Sequence, residues 1–227
     1  MGFDTETVMG YQATESLRST LGNCTTEVFT EFSYGAGKTD VVIANISDTY
    51  LQRRINELNL NRPIDPAYLK AFLILHRREQ ITRNYFDQLY SGKRSTDAVL
   101  RWLHDNGFIQ RTDDGKIRTT PNIRRHVTTS YGVELKLSKW QQALKQAYRA
   151  KSYADYQYIA LDASHVEPAL ENLEKFEKYG VGIISIEESG ECTVYYRPER
   201  TGPSTPLTVW KLNEQTLNGR TFNHAAD

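Results

Sequence analysis

The chain has 227 residues, with 28 Lys and Arg against 28 Asp and Glu, so its formal net charge is zero. A hydrophobic content of 39% and a charged content of 25% are typical of a folded globular protein. Two cysteines exclude a disulfide framework, the five histidines show no zinc-binding spacing, and no apolar run reaches the roughly 20 residues of a membrane span. We therefore expect a cytoplasmic protein without membrane contact.

The chain begins with a pattern of helix, strand, turn and strand. Leu17 and Leu21 share one face of a helix predicted over 13–21, and 25–32 is rich in β-branched and aromatic residues. An apolar run over 39–44 predicts a second, buried strand.

The turn between these strands, Gly35-Ala36-Gly37-Lys38-Thr39, contains part of a phosphate-binding sequence. That motif needs a glycine where Phe32 stands, and it needs a helix where a strand is predicted here. We expect the glycines to form a tight turn, and we expect no nucleotide cofactor.

The pattern then becomes mainly helical and basic. Residues 50–126 hold 15 Lys and Arg against 8 Asp and Glu, a balance of +7, and the rest of the chain balances this with −7. Such asymmetry indicates contact with a polyanion. The alternative is a pair of solvated surfaces of opposite sign that attract each other.

Three helices and a hairpin are predicted within this basic segment. Asp65 caps the first helix, the second contains Tyr85, Phe86 and Leu89, and Ser95 caps the third. A hairpin follows, because Asp-Gly at 114–115 separates two short β-like runs.

This order resembles a winged helix, a helix-turn-helix with a β-hairpin wing, over residues 65–121. In that family the third helix enters the major groove and the wing touches the DNA backbone. The resemblance implies that five basic residues bind DNA: Arg94, Arg101, Arg111, Lys116 and Arg118. The alternatives are ordinary solvated side chains on a helical insertion, or a winged helix that docks on a protein partner.

An α/β pattern resumes after His126. Strands and helices are predicted to alternate, with strands at 131–137, 156–161, 181–186 and 193–196, a helix capped by Ser138 and a helix over 165–178. From 198 the periodicity is weak, so we expect a C-terminal tail over 198–227 that is partly disordered. Its segment 209–212 would dock on the core or on a partner.

Charged residues stand inside two of the predicted strands. Asp40 begins an apolar strand, and Glu134 and Lys136 alternate with Val133 and Leu135. Residues i and i+2 of a strand share a face, so Glu134 and Lys136 project together. A lone Glu-x-Lys is usually an exposed ion pair, but buried charges need a partner or a metal. Together with Asp40 after a glycine turn, the pair indicates a site.

The order of helix, strand, Gly-x-Gly turn, strand with Asp40, and strand with Glu134-x-Lys136 resembles the PD-(D/E)XK nuclease superfamily. The resemblance covers a discontinuous domain, 10–47 and 127–197, and makes 48–126 an inserted winged-helix domain. It implies an α/β fold in which helices flank a restriction-endonuclease-like mixed sheet. The 93 residues between Asp40 and Glu134 exceed the family's usual spacing, and the insertion accounts for them.

The resemblance also implies roles for the motif residues. Asp40, Glu134 and the carbonyl group of Leu135 would hold Mg²⁺, for which Mn²⁺ can substitute. Lys136 would position the attacking water or stabilise the developing negative charge.

Three further residues are candidates for the same site. The family often adds an acid on the first helix, here Glu15, and Glu31 on the first strand is the alternative. Gln146 on the helix after Lys136 would face the site, although Ala150 departs from the family's fuller Gln-x₃-Tyr pattern.

These observations predict a metal-dependent nuclease that hydrolyses DNA phosphodiester bonds and binds DNA through its winged helix. A homodimer is compatible with this activity, because cutting both strands of a duplex needs two sites. One alternative is a non-catalytic DNA-binding or regulatory protein on a nuclease-like scaffold. Another is an interaction protein whose winged helix binds a protein partner.

Overall fold

A computed structural model describes residues 2–34 and 37–218. The helices are α1 (Glu6–Leu21), α2 (Asp48–Gln52), α3 (Pro66–His76), α4 (Arg83–Leu89), α5 (Thr96–Asp105), α6 (Trp140–Arg149), α7 (Glu167–Leu170), α8 (Leu173–Tyr179) and α9 (Pro206–Asn218). The strands are β1 (Thr26–Ser33), β2 (Lys38–Ile46), β3 (Ile109–Arg111), β4 (Ile117–Thr119), β5 (Val127–Lys136), β6 (Tyr156–Asp162), β7 (Gly182–Ile186) and β8 (Cys192–Tyr196). None of the helices in these two ranges is both long and apolar enough to cross a bilayer.

The described chain divides into two compact units, with boundaries at 46/47, 126/127 and 208/209. We call the residues before 47 and those of 127–208 the sheet unit, and 47–126 with 209–218 the insertion unit. The sheet unit extends further toward the N-terminus than the predicted start at residue 10, because α1 already begins at Glu6.

The sheet unit is built on six strands in the order β1-β2-β5-β6-β7-β8. The two inner pairs, β5 with β6 and β6 with β7, are parallel, and the other neighbours are antiparallel. The expected mixed sheet flanked by helices is therefore confirmed. Gly35 and Ala36 of the predicted turn between β1 and β2 lie outside the described residues.

Helices cover both faces of this sheet. On one face, α1 packs Met9, Ala13 and Leu17 against Val133 and Leu135 of β5. On the other face, residues of α6 and α8 pack against β6 and β7, among them Trp140, Leu144, Phe176, Ile159 and Ile183. Side chains alternate along a strand, so Glu134 lies on the face opposite Val133 and Leu135.

Two predicted helix boundaries in the sheet unit are wrong. The helix capped by Ser138 is capped by Lys139 instead, without a side-chain hydrogen bond. The helix over 165–178 is interrupted between α7 and α8. There the Asn172 side-chain amide donates to the Pro168 carbonyl at 2.9 Å, and this bond takes the place of the backbone bond that would continue the helix.

The insertion unit contains the three predicted helices, α3 to α5, and the predicted hairpin of β3 and β4. Both predicted caps are confirmed, since Asp65 accepts from the Ala67 amide and Ser95 from the Ala98 amide. One further bridge joins Ile81, between α3 and α4, to Ile117 on β4.

Part of the C-terminal tail expected over 198–227 is helical. Residues 206–218 form α9, and 219–227 lie outside the described residues. Trp210 of α9 packs edge-on against Phe72 at a centroid distance of 4.9 Å. Glu214 is buried and accepts two hydrogen bonds from Arg54, at 2.7 and 2.5 Å. An apolar anchor and a satisfied ion pair therefore hold α9 in the insertion unit.

Candidate active site

Two carboxylates meet where β2 and β5 run side by side. Val41 pairs with Val133 in this antiparallel ladder, and the next position brings Asp40 beside Glu134 and Leu135. Asp40 Oδ2 accepts a hydrogen bond from the Leu135 amide at 2.8 Å. We call Asp40 and Glu134 the carboxylate pair.

The carboxylate pair is electrostatically strained. Glu134 is 1% exposed, and its Oε1 atom has no hydrogen-bond partner among the described residues. Burial first, and the charge of Asp40 second, raise the pKa of Glu134 to about 8. Lys136 acts in the opposite direction but does not offset these effects. A divalent cation between the two carboxylates would relieve both the burial cost and the repulsion.

Lys136 lies beside the carboxylate pair, as the Glu-x-Lys pattern predicted. Its Nζ atom donates to Glu6 Oε2 at 2.8 Å and to the Leu135 carbonyl at 2.6 Å. Asp40 Oδ2 is 4.0 Å from the same nitrogen. Three elements, β5, β2 and α1, therefore bring Lys136 within 4.0 Å of the carboxylates of Asp40 and Glu6.

The acid that α1 contributes is Glu6 and not Glu15. Glu15 follows Glu6 by nine residues, which at 100° per residue places it on the opposite side of the helix. Its side chain is 82% exposed and pairs only loosely with Arg18 at 4.0 Å. Glu31 is also away from the site, because its exposed side chain pairs with Lys38 at 3.5 Å.

The sequence holds a signal for Glu6 that our prediction overlooked. Glu6, Met9, Ala13 and Leu17 follow one another at helical i, i+3, i+7 and i+11 spacing, so the acid extends the buried stripe of α1 by one turn. Thr5 caps this helix by accepting from the Val8 amide. A helix start placed at residue 13 hides this relationship.

Gln146 lies on α6, at the covered side of the sheet where Glu134 projects. Its Oε1 atom is buried and has no hydrogen-bond partner in the described part of the chain. The role of Gln146 in this site stays a prediction.

The donor set at this point suits a hard divalent cation. Mg²⁺ prefers oxygen ligands and keeps several waters, so two carboxylates and one carbonyl form an adequate partial shell. Across 2–34 and 37–218 there is no group of three or more His, Cys, Asp or Glu side chains arranged to hold a metal. The orphaned Glu134 Oε1 and the repulsion within the carboxylate pair nevertheless fit a cation at this place.

In the insertion unit, four of the five predicted DNA-binding residues are exposed. These are Arg94, Arg101, Arg111 and Arg118. The guanidinium of Arg94 lies over the ring of Tyr68 at 5.2 Å, while Lys116, which is half-buried, pairs with Asp114 at 2.7 Å.

A groove of about 280 Å³ lies along α5 and β3 in the same unit. Arg101, His104 and Arg111 line it. The acid Asp97 also faces it, but Arg83 bonds Asp97 at 2.6 Å and holds the pKa of that carboxyl below its usual value. Asp105 lines the groove as well, so its three arginines exceed its two acids by one and the groove keeps a small positive excess.

Comparison with known proteins adds no relative. No family model matches the chain, and neither a curated protein nor a solved structure matches it. The functional assignment therefore depends on the residues and their geometry.

Proposed function

We propose that the protein is a metal-dependent nuclease of the PD-(D/E)XK type that hydrolyses DNA phosphodiester bonds. The observation that carries the proposal is the buried carboxyl group of Glu134 with the half-buried Asp40 and Lys136 beside it. Burial and the neighbouring Asp40 raise the pKa of Glu134, so keeping the two carboxyl groups together lowers the stability of the folded protein. A binding function would explain why the chain has this arrangement. Glu6 on α1 adds the helix acid that is frequent in this superfamily.

The residues of the chain would divide the chemistry as follows. Asp40 and Glu134 would hold Mg²⁺ with the Leu135 carbonyl. When bound, the ion would polarise the scissile phosphate and lower the pKa of a coordinated water. Lys136 would stabilise the negative charge that develops on the phosphate, and Glu6 would keep the lysine in position.

The insertion unit would supply the DNA contacts as a winged helix. Its element order supports this: helix, a short strand contact at Ile81, two further helices, and a two-stranded wing that pairs back to Ile81 through Ile117. The exposed arginines of α5 and the wing would neutralise phosphates, which makes binding salt-dependent.

A second candidate is a non-catalytic DNA-binding or regulatory protein on the same scaffold. One observation favours it, because the Leu135 carbonyl, an expected metal ligand, already accepts a hydrogen bond from Lys136 Nζ at 2.6 Å. A nuclease would need Lys136 to release that carbonyl when metal binds.

Cleavage of plasmid, linear and branched DNA with Mg²⁺ or Mn²⁺ tests the proposal. Asp40→Ala and Lys136→Ala should each lower the rate by about 10²–10³-fold while DNA binding persists. Lys139→Ala, which removes an exposed lysine three residues away, is the matched control and should cleave normally. Wild-type protein that binds DNA but cleaves none of the three substrates would favour the regulatory alternative. Cleavage retained by Lys136→Ala would refute the site assignment.

A further inference from the structure

Two buried hydroxyl groups near the carboxylate pair have no hydrogen-bond partner within the described residues: Thr39 Oγ1 and Tyr153 Oη. Both side chains are fully buried. Buried hydroxyls in folded proteins almost always find a partner, and each exception carries a cost of roughly 1–3 kcal/mol. Two such hydroxyls beside one site indicate that another arrangement of the site's side chains completes their hydrogen bonding.

Neighbouring side chains and the space above Gly132 fix the position of Tyr153. Its ring packs against Phe32 and Tyr34, with centroid distances of 5.1 Å to each. Its hydroxyl lies over Gly132, where an added Cβ would come within 2.8 Å of the oxygen. Gly132 and Glu134 are i and i+2 on β5 and share a face, so the hydroxyl lies on the side of the sheet where Glu134 projects.

Thr39 lies between Tyr153 and Glu134. Its hydroxyl interacts with both side chains and opposes the rise in the pKa of each, although Thr39 Oγ1 has no partner with full hydrogen-bond geometry among the described residues. Glu134 Oε1 is a buried acceptor without a donor, and the two hydroxyls are buried donors without an acceptor. The three groups are therefore complementary in their hydrogen-bonding capacity.

We propose that Thr39 and Tyr153 are positioning residues whose hydroxyls donate to Glu134 Oε1 when the carboxylate pair binds a divalent cation. The inference rests on the proposed metal site. An ionised Glu134 would use Oε2 toward the cation and would need donors for Oε1, which the hydroxyls of Thr39 and Tyr153 can supply. Partners of this kind orient a metal ligand and commonly contribute 10–100-fold in metal affinity.

This role predicts a pattern that a purely structural role would not produce. In the metal-free protein the hydroxyls have no hydrogen-bond partner among the described residues, so their removal should leave stability unchanged or raise it. In the metal-bound protein they stabilise the carboxylate, so the same removal weakens binding. A tyrosine or threonine that merely supported the fold would show the opposite pattern.

The experiment titrates Mn²⁺ into the full chain without DNA and follows free Mn²⁺ by electron paramagnetic resonance. Thr39→Val and Tyr153→Phe remove one hydroxyl each at nearly constant size, and each should weaken Mn²⁺ binding about 10–100-fold. Their melting temperatures in chelator should equal or exceed that of the wild type. Thr39→Ser keeps a hydroxyl and should restore binding. Tyr158→Phe is the matched control, because Tyr158 is equally buried but packs on the α1 face of the sheet.

The outcomes separate this inference from the proposed function. Wild-type binding with unchanged affinity in both variants overturns the role of the hydroxyls and leaves the metal site standing. Lower metal-free melting temperatures in both variants also overturn it, since they show a structural role. Absence of Mn²⁺ binding by the wild type overturns the metal site and this inference together.

Discussion

Glu134 is a carboxyl group whose protonation depends on what lies beside it. Burial and the charge of Asp40 raise its pKa to about 8, so at neutral pH the metal-free protein holds this group mostly protonated. A cation at the carboxylate pair would favour the ionised form instead. Metal binding at this site should therefore release a proton and strengthen as the pH rises.

The same pKa makes a prediction for stability without metal. Between the ordinary value of 4.5 and about 8, folded protein keeps a proton that the unfolded chain has released. Stability contributed by this group is thus present at low pH and is lost as the pH rises through this window. The side chain introduced by Glu134→Gln cannot ionise. In chelator at pH 8.5, the free energy of unfolding of this variant should therefore exceed that of the wild type by on the order of 2 kcal/mol. Urea unfolding of both proteins at pH 5.5 and 8.5 checks this. A difference in unfolding free energy between variant and wild type that is equal at both pH values would contradict it.

The alternation of side chains along a strand was sufficient to predict some of the site residues. It predicted that Glu134 and Lys136 share one face, and the glycine turn before Asp40 indicated where the neighbouring strand begins. The unpaired hydroxyls of Thr39 and Tyr153 were beyond sequence analysis, because only the packed sheet shows that Gly132 makes room for a phenol. Periodicity identifies a shared face, but the contacts between elements decide which polar atoms lack a partner.

Helix α1 offers the sharpest comparison at the scale of a single element, because it presents two glutamates on opposite sides. Glu6→Gln removes the charge that holds Lys136 and should lower cleavage about tenfold or more without loss of DNA binding. Glu15→Gln makes the same change on the exposed side and should cleave like the wild type. Single-turnover cleavage by the two variants tests this, and equal activity would remove Glu6 from the site.

Helix α9 contributes Glu214 to a buried ion pair with Arg54. Glu214→Gln would leave Arg54 buried beside a neutral side chain and should cost about 3–5 kcal/mol. Glu57→Gln is the control, since its pair with Arg53 is exposed and should contribute less than about 1 kcal/mol. Denaturant unfolding is followed by tryptophan fluorescence in a Trp140→Phe background, in which the remaining tryptophans, Trp102 and Trp210, both lie in the insertion unit. Similar losses in both variants would show that the buried pair contributes no more than the exposed one.

Sequence patterns predicted the elements with strong local signals and missed those fixed by distant contacts. Asp65 and Ser95 are cap residues that predict the start of a helix, and both helices form. The segment that becomes α9 has weak periodicity because its buried positions include Asn213, Glu214 and Thr216. Those polar residues are buried through partners far away in the chain, which no local pattern records.

At the scale of the whole molecule, charge separates along the chain. Residues 50–126 carry +7 and the remainder −7, so DNA binding should be carried by the insertion unit. Arg94→Gln with Arg101→Gln should weaken binding and flatten the plot of log affinity against log salt by up to about 1.8. Lys175→Gln with Lys178→Gln makes the same charge change on exposed positions of the sheet unit. Fluorescence anisotropy at four salt concentrations measures the DNA affinity of both double variants. Identical slopes of log affinity against log salt would exclude the insertion unit as the main DNA-binding surface.

The interleaving of the two units has a consequence for synthesis on the ribosome. Arg54 emerges early, but its partner Glu214 follows 160 residues later. Until that helix is translated, the insertion unit carries an uncompensated guanidinium and lacks Trp210, so it cannot complete its fold during elongation. The sheet unit, whose last strand ends at Tyr196, can assemble first. A chain truncated near residue 200 and released from the ribosome should therefore resist protease in its sheet while the segment 47–126 is still cut.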